Sequence, residues 1–118
     1  MEGKNVTVLD STLRDGTQGR GVSFSVSDKL KIIKALDRQG IAYIEAGNPG
    51  SNPKDRELFD QAQDISLTAS RLVAFGSTRK KTSAAEEDEG LRSLVAAKTD
   101  WVSVFGKSSI FHVQTVLQ

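Results

Sequence analysis

The sequence predicts an α/β fold in which four parallel strands alternate with helices, forming the N-terminal half of a TIM (β/α)8 barrel. Four runs rich in β-branched and aromatic residues begin 35, 30 and 30 residues apart. This spacing accommodates one strand and one helix but is too long for a hairpin. Polar or glycine residues follow every run, as they do at the rim of a barrel that carries the active site. The four runs are residues 6–9, 41–46, 71–75 and 101–105.

The first two helices are marked by their end signals. We expect the first helix to begin near Ser25, with Asp28 completing a capping box, and to end at Gly40. The second should begin after Asn52 as the N-cap, with Pro53 at its first position. Their predicted buried faces are Leu30, Ile33 and Leu36 in the first helix, and Leu58, Phe59, Ala62 and Ile65 in the second.

Two further helices follow the third and fourth strands. The third is predicted to begin at Ser83, with Glu86 completing its capping box. Its acidic run, residues 86–89, would lie in the first turn as a solvated face. A fourth helix should begin after Ser109 and continue to Gln118. The predicted apolar residues are Leu91, Leu94 and Val95 in the third helix, and Val113, Val116 and Leu117 in the fourth.

Alternation of strands and helices implies parallel pairing, because parallel neighbours need a long crossover. The strands are short and almost wholly apolar, as strands covered on both faces should be. A doubly wound open sheet and a (β/α)8 barrel both satisfy this pattern. The open sheet usually places a glycine-rich phosphate-binding turn after its first strand, and neither common form of that turn occurs here. The sequence therefore favours the barrel.

Composition excludes several classes of partner. The 118 residues include 16 Lys and Arg against 15 Asp and Glu, a balance that does not favour binding to nucleic acid or an anionic membrane. No apolar run is long enough to span a bilayer, and no signal segment is recognisable at the start. The absence of cysteine rules out disulfides and thiolate metal sites. We expect a cytoplasmic enzyme, or part of one.

The segment DSTLRDGTQ, residues 10–18, carries the chemistry. The carboxylate of Asp15 can bind a divalent cation through oxygen, and the guanidinium of Arg14 can stabilise an oxyanion that forms beside that cation. Gly16 permits a turn and a close approach of ligand to backbone. An Arg-Asp dipeptide alone would more often be a surface ion pair.

A second carboxylate closes the second predicted strand. Burying Glu45 at that position is unfavourable unless another group pairs with it. If the first two strands are neighbours, Glu45 faces Arg14 across the rim. A structural ion pair and a functional role are both open for Glu45, and the two are compatible. Asn48 lies in a turn-forming segment, which favours a structural role over a ligand role.

Residues 10–18 resemble a family signature, Asp-[Ser/Thr]-Thr-Leu-Arg-Asp-Gly-x-Gln. The family comprises the metal-dependent acyl-CoA condensing and lyase barrels: 2-isopropylmalate, homocitrate and citramalate synthases and hydroxymethylglutaryl-CoA lyase. Every fixed position of the signature is matched. The resemblance implies that Asp15 binds a divalent metal (Zn, Mn or Mg), that Arg14 steadies the enolate and the 2-oxo acid, and that Gln18 lines the substrate pocket. It also suggests that Glu45 helps to orient Arg14.

The rim after the third and fourth strands supplies further candidates. Ser77 and Arg79 follow the third strand and Lys107 follows the fourth, and the two cations suit a carboxylate or the phosphates of CoA. They could equally be solvated. We take Asn48, Ser77 and Arg79 as further candidates for substrate binding, and interpret His112, the one histidine, as structural.

The resemblance is greatest to the citramalate-synthase branch, on the segments EAGNPGS, AFGSTR and VFGKS. It implies condensation of acetyl-CoA with a 2-oxo acid, pyruvate giving citramalate, in the biosynthesis of isoleucine and leucine. The alternatives are 2-isopropylmalate or homocitrate synthesis, a lyase such as hydroxymethylglutaryl-CoA lyase, or a non-catalytic half-barrel module.

A complete barrel of this kind needs about 250 residues, so residues 1–118 are expected to be an incomplete N-terminal part of the catalytic domain. The family's two metal-binding histidines, in a His-x-His on a later strand, are absent. We therefore expect the fragment alone to be inactive. An opened barrel exposes two strand edges and an apolar inner face, and for this reason we expect a homodimer or a higher oligomer.

Overall fold

The computed structural model describes residues 3–117. Four parallel strands form one sheet in the order β1–β2–β3–β4, with β1 at Leu9–Asp10, β2 at Tyr43–Gly47, β3 at Arg71–Ser77 and β4 at Trp101–Phe105. The connecting helices are α1 at Val26–Arg38, α2 at Pro53–Ala62 and α3 at Glu89–Ala96. The strand order follows the sequence without the reversal that defines a doubly wound sheet. The fold is that of half a (β/α)8 barrel, and the predicted fold class is confirmed.

The first strand is shorter than predicted. Regular pairing covers Leu9–Asp10, and within residues 3–117 the one earlier backbone link to β2 is from the Tyr43 N–H to the Val8 carbonyl at 3.2 Å. Val6, which was placed inside the strand, is largely exposed. The prediction of residues 6–9 was wrong at both ends. β1 is an edge strand whose one neighbour is β2, and Val6 lies before the residues that pair with it.

The end signals of α1 and α2 act as predicted. The Ser25 hydroxyl accepts from the Asp28 N–H at 3.0 Å, and the Asp28 carboxylate accepts from the Ser25 N–H at 3.1 Å. Gly40 has a φ of 80°, a left-handed conformation in which a glycine can follow the helix end at little steric cost. The Asn52 side chain accepts from the Lys54 N–H at 2.9 Å, and Pro53 is the first helical residue.

The third helix begins five residues later than predicted. A separate 3₁₀ turn occupies Ala85–Glu87, and Asp88, not Ser83, is the N-cap of α3. The Asp88 carboxylate accepts from the Leu91 N–H at 3.0 Å and from the Lys80 N–H at 2.8 Å. The acidic run is therefore not a uniformly solvated face, since Asp88 is buried. Val95, predicted to be buried, is 80% exposed.

The fourth helix is present only as a short segment. Its final part, His112–Val116, has π-helical hydrogen bonding. Its apolar side chains are roughly half to three-quarters exposed. Those of β4 are about half exposed, so the expectation of strands covered on both faces fails at this edge. Gln118, the predicted last residue of this helix, lies outside the described residues.

The hydrophobic core lies between the sheet and its helices. Ile44 and Ala46 of β2 and Ala74 of β3 point toward the helical layer and are fully buried. Burying apolar surface of this kind contributes roughly 25 cal/mol per Å². The core residues are Leu13, Ile33, Ile44, Ala46, Leu58, Phe59, Ala74, Leu94 and Ala97. Within residues 3–117, no helix has the length and apolar character needed to cross a bilayer.

A buried ion pair joins α1 to α2. The Lys29 Nζ lies 2.7 Å from an Asp55 carboxylate oxygen, and the two residues are 3% and 6% exposed. The other Asp55 oxygen accepts from the Asn48 N–H at 2.9 Å, which ties the pair to the end of β2. A Cβ on Gly47 would lie 2.6 Å from the Asp55 carboxyl carbon, so the absence of a side chain allows this approach.

Asp37, near the end of α1, holds the loop that leads into β3. Its carboxylate accepts from the N–H groups of Thr68, Ala69 and Ser70 at 2.8 to 3.1 Å. These hydrogen bonds lower the pKa of Asp37 from 3.8 to about 2. Because the folded pKa lies below the unfolded one, this stabilisation is fully present above 3.8 and is lost as the pH falls through about 2.

We therefore expect Asp37→Asn to destabilise the protein most at neutral pH. The difference in free energy of unfolding between wild type and Asp37→Asn should shrink as the pH is lowered from about 5 to about 2. Denaturant unfolding at a series of pH values measures this difference in free energy. Asp64→Asn, at an exposed carboxylate, is the control and should show a small difference. A difference for Asp37→Asn that stays constant down to pH 2 would contradict the assignment.

Candidate active site

The strands and the turn after β1 bring four side chains together on one face of the sheet. Arg14 follows β1, Glu45 belongs to β2, Phe75 to β3 and Ser103 to β4. The Arg14 Nε lies 2.6 Å from Glu45 Oε1, and the guanidinium carbon lies 4.1 Å from the centroid of the Phe75 ring. The predicted encounter of Arg14 with Glu45 across the rim is confirmed.

Glu45 is only 5% exposed and accepts hydrogen bonds on both carboxylate oxygens. Oε1 accepts from the Ser11 hydroxyl at 2.9 Å and from Arg14, and Oε2 accepts from the Ser103 hydroxyl at 2.6 Å. Burial raises the pKa of Glu45, but the hydrogen bonds from Ser103, Arg14 and Ser11 outweigh it and hold the pKa below its ordinary value. Glu45 is thus an ionised, fully engaged carboxylate, suited to orienting Arg14.

The Arg14 guanidinium is held from two directions. Glu45 accepts a hydrogen bond from Nε, and the Phe75 ring supports the guanidinium from one side in a cation–π contact. A lysine ammonium, which has a single nitrogen, could not make both contacts in this geometry. Nη1 donates to Asp15 at 3.3 Å, and Nη2 donates to no residue between 3 and 117. With the side chain 22% exposed, the Nη edge of the guanidinium remains able to donate to a bound oxyanion.

Asp15 lies beside the Nη1 atom of the Arg14 guanidinium, on its solvent-exposed side. Its side chain is 67% exposed, and the Arg14 Nη1 contact is its one ion pair within the described chain. The turn that presents it is anchored by Leu13, which is fully buried. The Asp15 and Gly16 N–H groups both donate to the Ser11 carbonyl, at 2.9 and 3.1 Å. The position of Asp15 follows from the same tight turn that fixes Arg14.

A divalent cation would find one available carboxylate here. Both oxygens of Asp10 accept from Thr12, its N–H and its hydroxyl, at 3.0 Å. Residues 3–117 contain no group of three His, Cys, Asp or Glu side chains placed to share an ion. Zinc needs about four ligands and magnesium about six. The described residues do not by themselves fit a metal ion, and Asp15 could supply one ligand of a larger set.

The other sequence candidates have other contacts or are exposed. Gln18 is exposed in the 3₁₀ turn Gly16–Gln18, and Ser77 is exposed at the end of β3. Arg79 donates from Nη1 to two carbonyls of its own loop, at 3.2 and 2.8 Å. The Asn48 Oδ1 accepts from the Gly50 N–H at 3.1 Å, the structural turn role that its sequence context favours. None of the four has a hydrogen bond to Arg14 or Glu45 in the described chain.

Sequence reasoning missed two of the four clustered side chains, Phe75 and Ser103, and also missed Ser11, which donates to Glu45. Ser103 carried a usable signal, since it is the one polar residue of β4, WVSVF, and alternation places it on the same face as Trp101 and Phe105. Ser11 lay inside the signature without an assigned role. Phe75 carried no signal, because an aromatic residue in a strand is ordinary.

Comparison with known proteins identifies the family of this chain. The HMGL-like family profile matches residues 5–118. This chain belongs to the HMGL-like family. It is 50% identical over 115 residues to the (R)-citramalate synthase of Sulfolobus acidocaldarius and 49% identical over 111 residues to that of Synechocystis sp.. It is 37% identical over 114 residues to the 2-isopropylmalate synthase of Staphylococcus carnosus.

The relatives of this HMGL-like chain are much longer. The matches cover 98%, 94% and 97% of this chain but 22%, 20% and 21% of the respective relatives. The chain thus spans about a fifth of the length of these curated relatives. The recognised family resemblance is confirmed, including the greater similarity to citramalate synthases.

Proposed function

We propose that this chain supplies part of the active site of an acyltransferase that condenses acetyl-CoA with a 2-oxo acid, pyruvate giving citramalate. The observation that carries the proposal is the Arg14 guanidinium, fixed by Glu45 and Phe75, with its Nη edge beside the exposed carboxylate of Asp15. Identity is also higher to the (R)-citramalate synthases, at 42 to 50%, than to the 2-isopropylmalate synthases, at 30 to 37%.

The proposed role of Arg14 follows from the charge changes of a Claisen-type condensation. A base removes a proton from the acetyl methyl, the resulting carbanion forms a bond to the keto carbon, and the keto oxygen becomes anionic. Water then cleaves the thioester and releases CoA. A guanidinium already held in place stabilises the developing charge without reorganisation, which is where electrostatic catalysis gains most.

Asp15 is proposed as one ligand of a divalent metal, Zn, Mn or Mg, whose bound form would polarise the keto group as a Lewis acid. Gln18, Asn48, Ser77 and Arg79 stay candidates for substrate contacts. The 118-residue chain alone is proposed to be inactive, because residues 3–117 do not complete a metal site. We place the reaction in the cytoplasm, in the biosynthesis of isoleucine and leucine.

Release of free thiol from acetyl-CoA by the complete gene product tests the function. We expect release to depend on a 2-oxo acid, with a higher kcat/KM for pyruvate than for 2-oxoisovalerate or 2-oxoglutarate. A preference for 2-oxoisovalerate would identify 2-isopropylmalate synthesis instead. Cleavage of hydroxymethylglutaryl-CoA without condensation would identify a lyase. Absence of both reactions would favour a non-catalytic module.

We also propose that the 118-residue chain by itself associates with a second copy. Its β4 is exposed on both faces, through Trp101, Val102, Val104 and Phe105, and exposed strand edges pair readily with one another. Joining two four-stranded sheets edge to edge would approximate eight-stranded closure. Light scattering should give at least the mass of a dimer, and a monodisperse folded monomer would count against this.

A further inference from the structure

On one face of the sheet, Glu45 accepts hydrogen bonds from residues on both flanks of its strand β2. Oε1 accepts from Arg14 and Ser11, which precede α1, whereas Oε2 accepts from Ser103 of β4. Ser103 lies 58 positions along the chain from Glu45, and β3 separates their strands. Its hydroxyl is the one donor to Oε2 among residues 3–117.

We propose that Ser103 is a positioning residue that fixes the Glu45 carboxylate and, through it, the direction in which the Arg14 guanidinium points. This inference rests on the proposed function, since it assigns Ser103 to the machinery that presents Arg14 to a 2-oxo acid. Ser103 does not itself contact the substrate in this account. The ligand that Arg14 would then meet is a small 2-oxo acid, through its carboxylate and its keto oxygen, which becomes anionic during the reaction.

The geometry explains why one tether would not suffice. A glutamate carboxylate can rotate about its last side-chain bond, and a hydrogen bond to one oxygen leaves that rotation open. The Ser103 hydroxyl, at 2.6 Å from Oε2, fixes the second oxygen and so keeps Oε1 directed at the Arg14 Nε. Phe75 supports the guanidinium from one side but sets no direction for its nitrogens.

Packing of β4 against its neighbours would not by itself require a hydroxyl at this position. Ser103 shares its face of β4 with Trp101 and Phe105, and an apolar side chain there would continue that surface. Removing the hydroxyl would leave Oε2 of a buried, ionised carboxylate without a donor. A buried acceptor without a donor is destabilised, so the Glu45 carboxylate would tend to rotate toward another donor. Arg14 is bound to the same carboxylate and would move with it.

Kinetics of the complete gene product with pyruvate and acetyl-CoA test the inference. Ser103→Ala should lower kcat about tenfold with a smaller change in the KM for pyruvate, as is common when a supporting hydrogen bond is lost. Ser103→Thr, which keeps the hydroxyl, should restore most of kcat. In a Glu45→Gln background Ser103→Ala should have less than about twofold further effect, because residues that act through one another are not additive. Ser93→Ala removes a hydroxyl that donates to the Glu89 carbonyl within α3; it is the control and should match wild type.

A second measurement separates this inference from the proposed function. The Arg14 Nε–H should exchange slowly with solvent by NMR in the wild type and in Ser103→Thr, and faster in Ser103→Ala. Thiol release by the wild type decides the function, and exchange decides the positioning role. If Ser103→Ala does not fold, Ser103→Cys, similar in size but a weak donor, replaces it with the same expectation. Unchanged kcat and unchanged exchange in the hydroxyl-free variant would overturn the inference.

Discussion

Replacing Arg14 by alanine in the complete gene product should lower kcat for pyruvate condensation by about 100- to 1000-fold without unfolding the protein. Loss of a single preorganised oxyanion donor commonly has an effect of this size, roughly 2.7 to 4 kcal/mol of transition-state stabilisation. Among the described residues the polar contacts of the Arg14 side chain are with Glu45 and Asp15. Removing it takes the cation from the buried Glu45 carboxylate, which should lower stability. The fold should survive because Ser11 and Ser103 still donate to both Glu45 oxygens. Steady-state thiol release, with circular dichroism to verify folding, measures both parts of the prediction.

Two matched variants sharpen this test. Arg14→Lys keeps the charge but cannot combine the Nε bond to Glu45 with a free Nη edge, so it should recover little of kcat. Arg79→Ala removes a cation of the same rim that already donates to two carbonyls of its own loop, and should reduce turnover far less. Activity of Arg14→Ala within about tenfold of wild type, about 1.4 kcal/mol, would show the assigned role to be wrong.

The second large effect is expected on stability. Lys29→Ala should lower the free energy of unfolding by about 3 to 5 kcal/mol, because it leaves the Asp55 carboxylate buried without its cation. Asp55→Ala should be comparably damaging, since both Lys29 and the Asn48 N–H lose their acceptor. Denaturant unfolding followed by circular dichroism is the measurement.

The double variant distinguishes a coupled pair from two separate contacts. Lys29→Ala combined with Asp55→Ala should cost clearly less than the sum of the single changes, because no buried charge is left unpaired. Lys34→Ala, at an exposed position of the same helix, is the control and should change stability by less than about 0.5 kcal/mol. Additive effects of the two single changes would argue against a coupled ion pair.

The predictions that succeeded depended on local or topological rules. The ends of α1 and α2 were readable because Ser25 and Asn52 cap the helix that follows them directly. The encounter of Arg14 with Glu45 was readable because neighbouring parallel strands end at the same rim. In these cases the sequence neighbourhood determines the contact.

The predictions that failed depended on contacts between distant residues. Asp88 caps α3 in place of Ser83 because it also receives the Lys80 N–H, which local spacing does not reveal. Val95 carries the right periodicity for burial but lies on a side of α3 that no described element covers. Ser103 of β4 donates to Glu45 of β2 across the intervening strand β3, and this contact can be predicted only when the register of the sheet is known.

A crystal structure of the complete gene product with pyruvate tests the central claim most directly. We predict that an oxygen of pyruvate lies within hydrogen-bonding distance of an Arg14 Nη atom, while Nε still donates to Glu45 and Ser103 still donates to the other carboxylate oxygen. Pyruvate bound elsewhere, with the guanidinium of Arg14 turned away from it, would contradict the account.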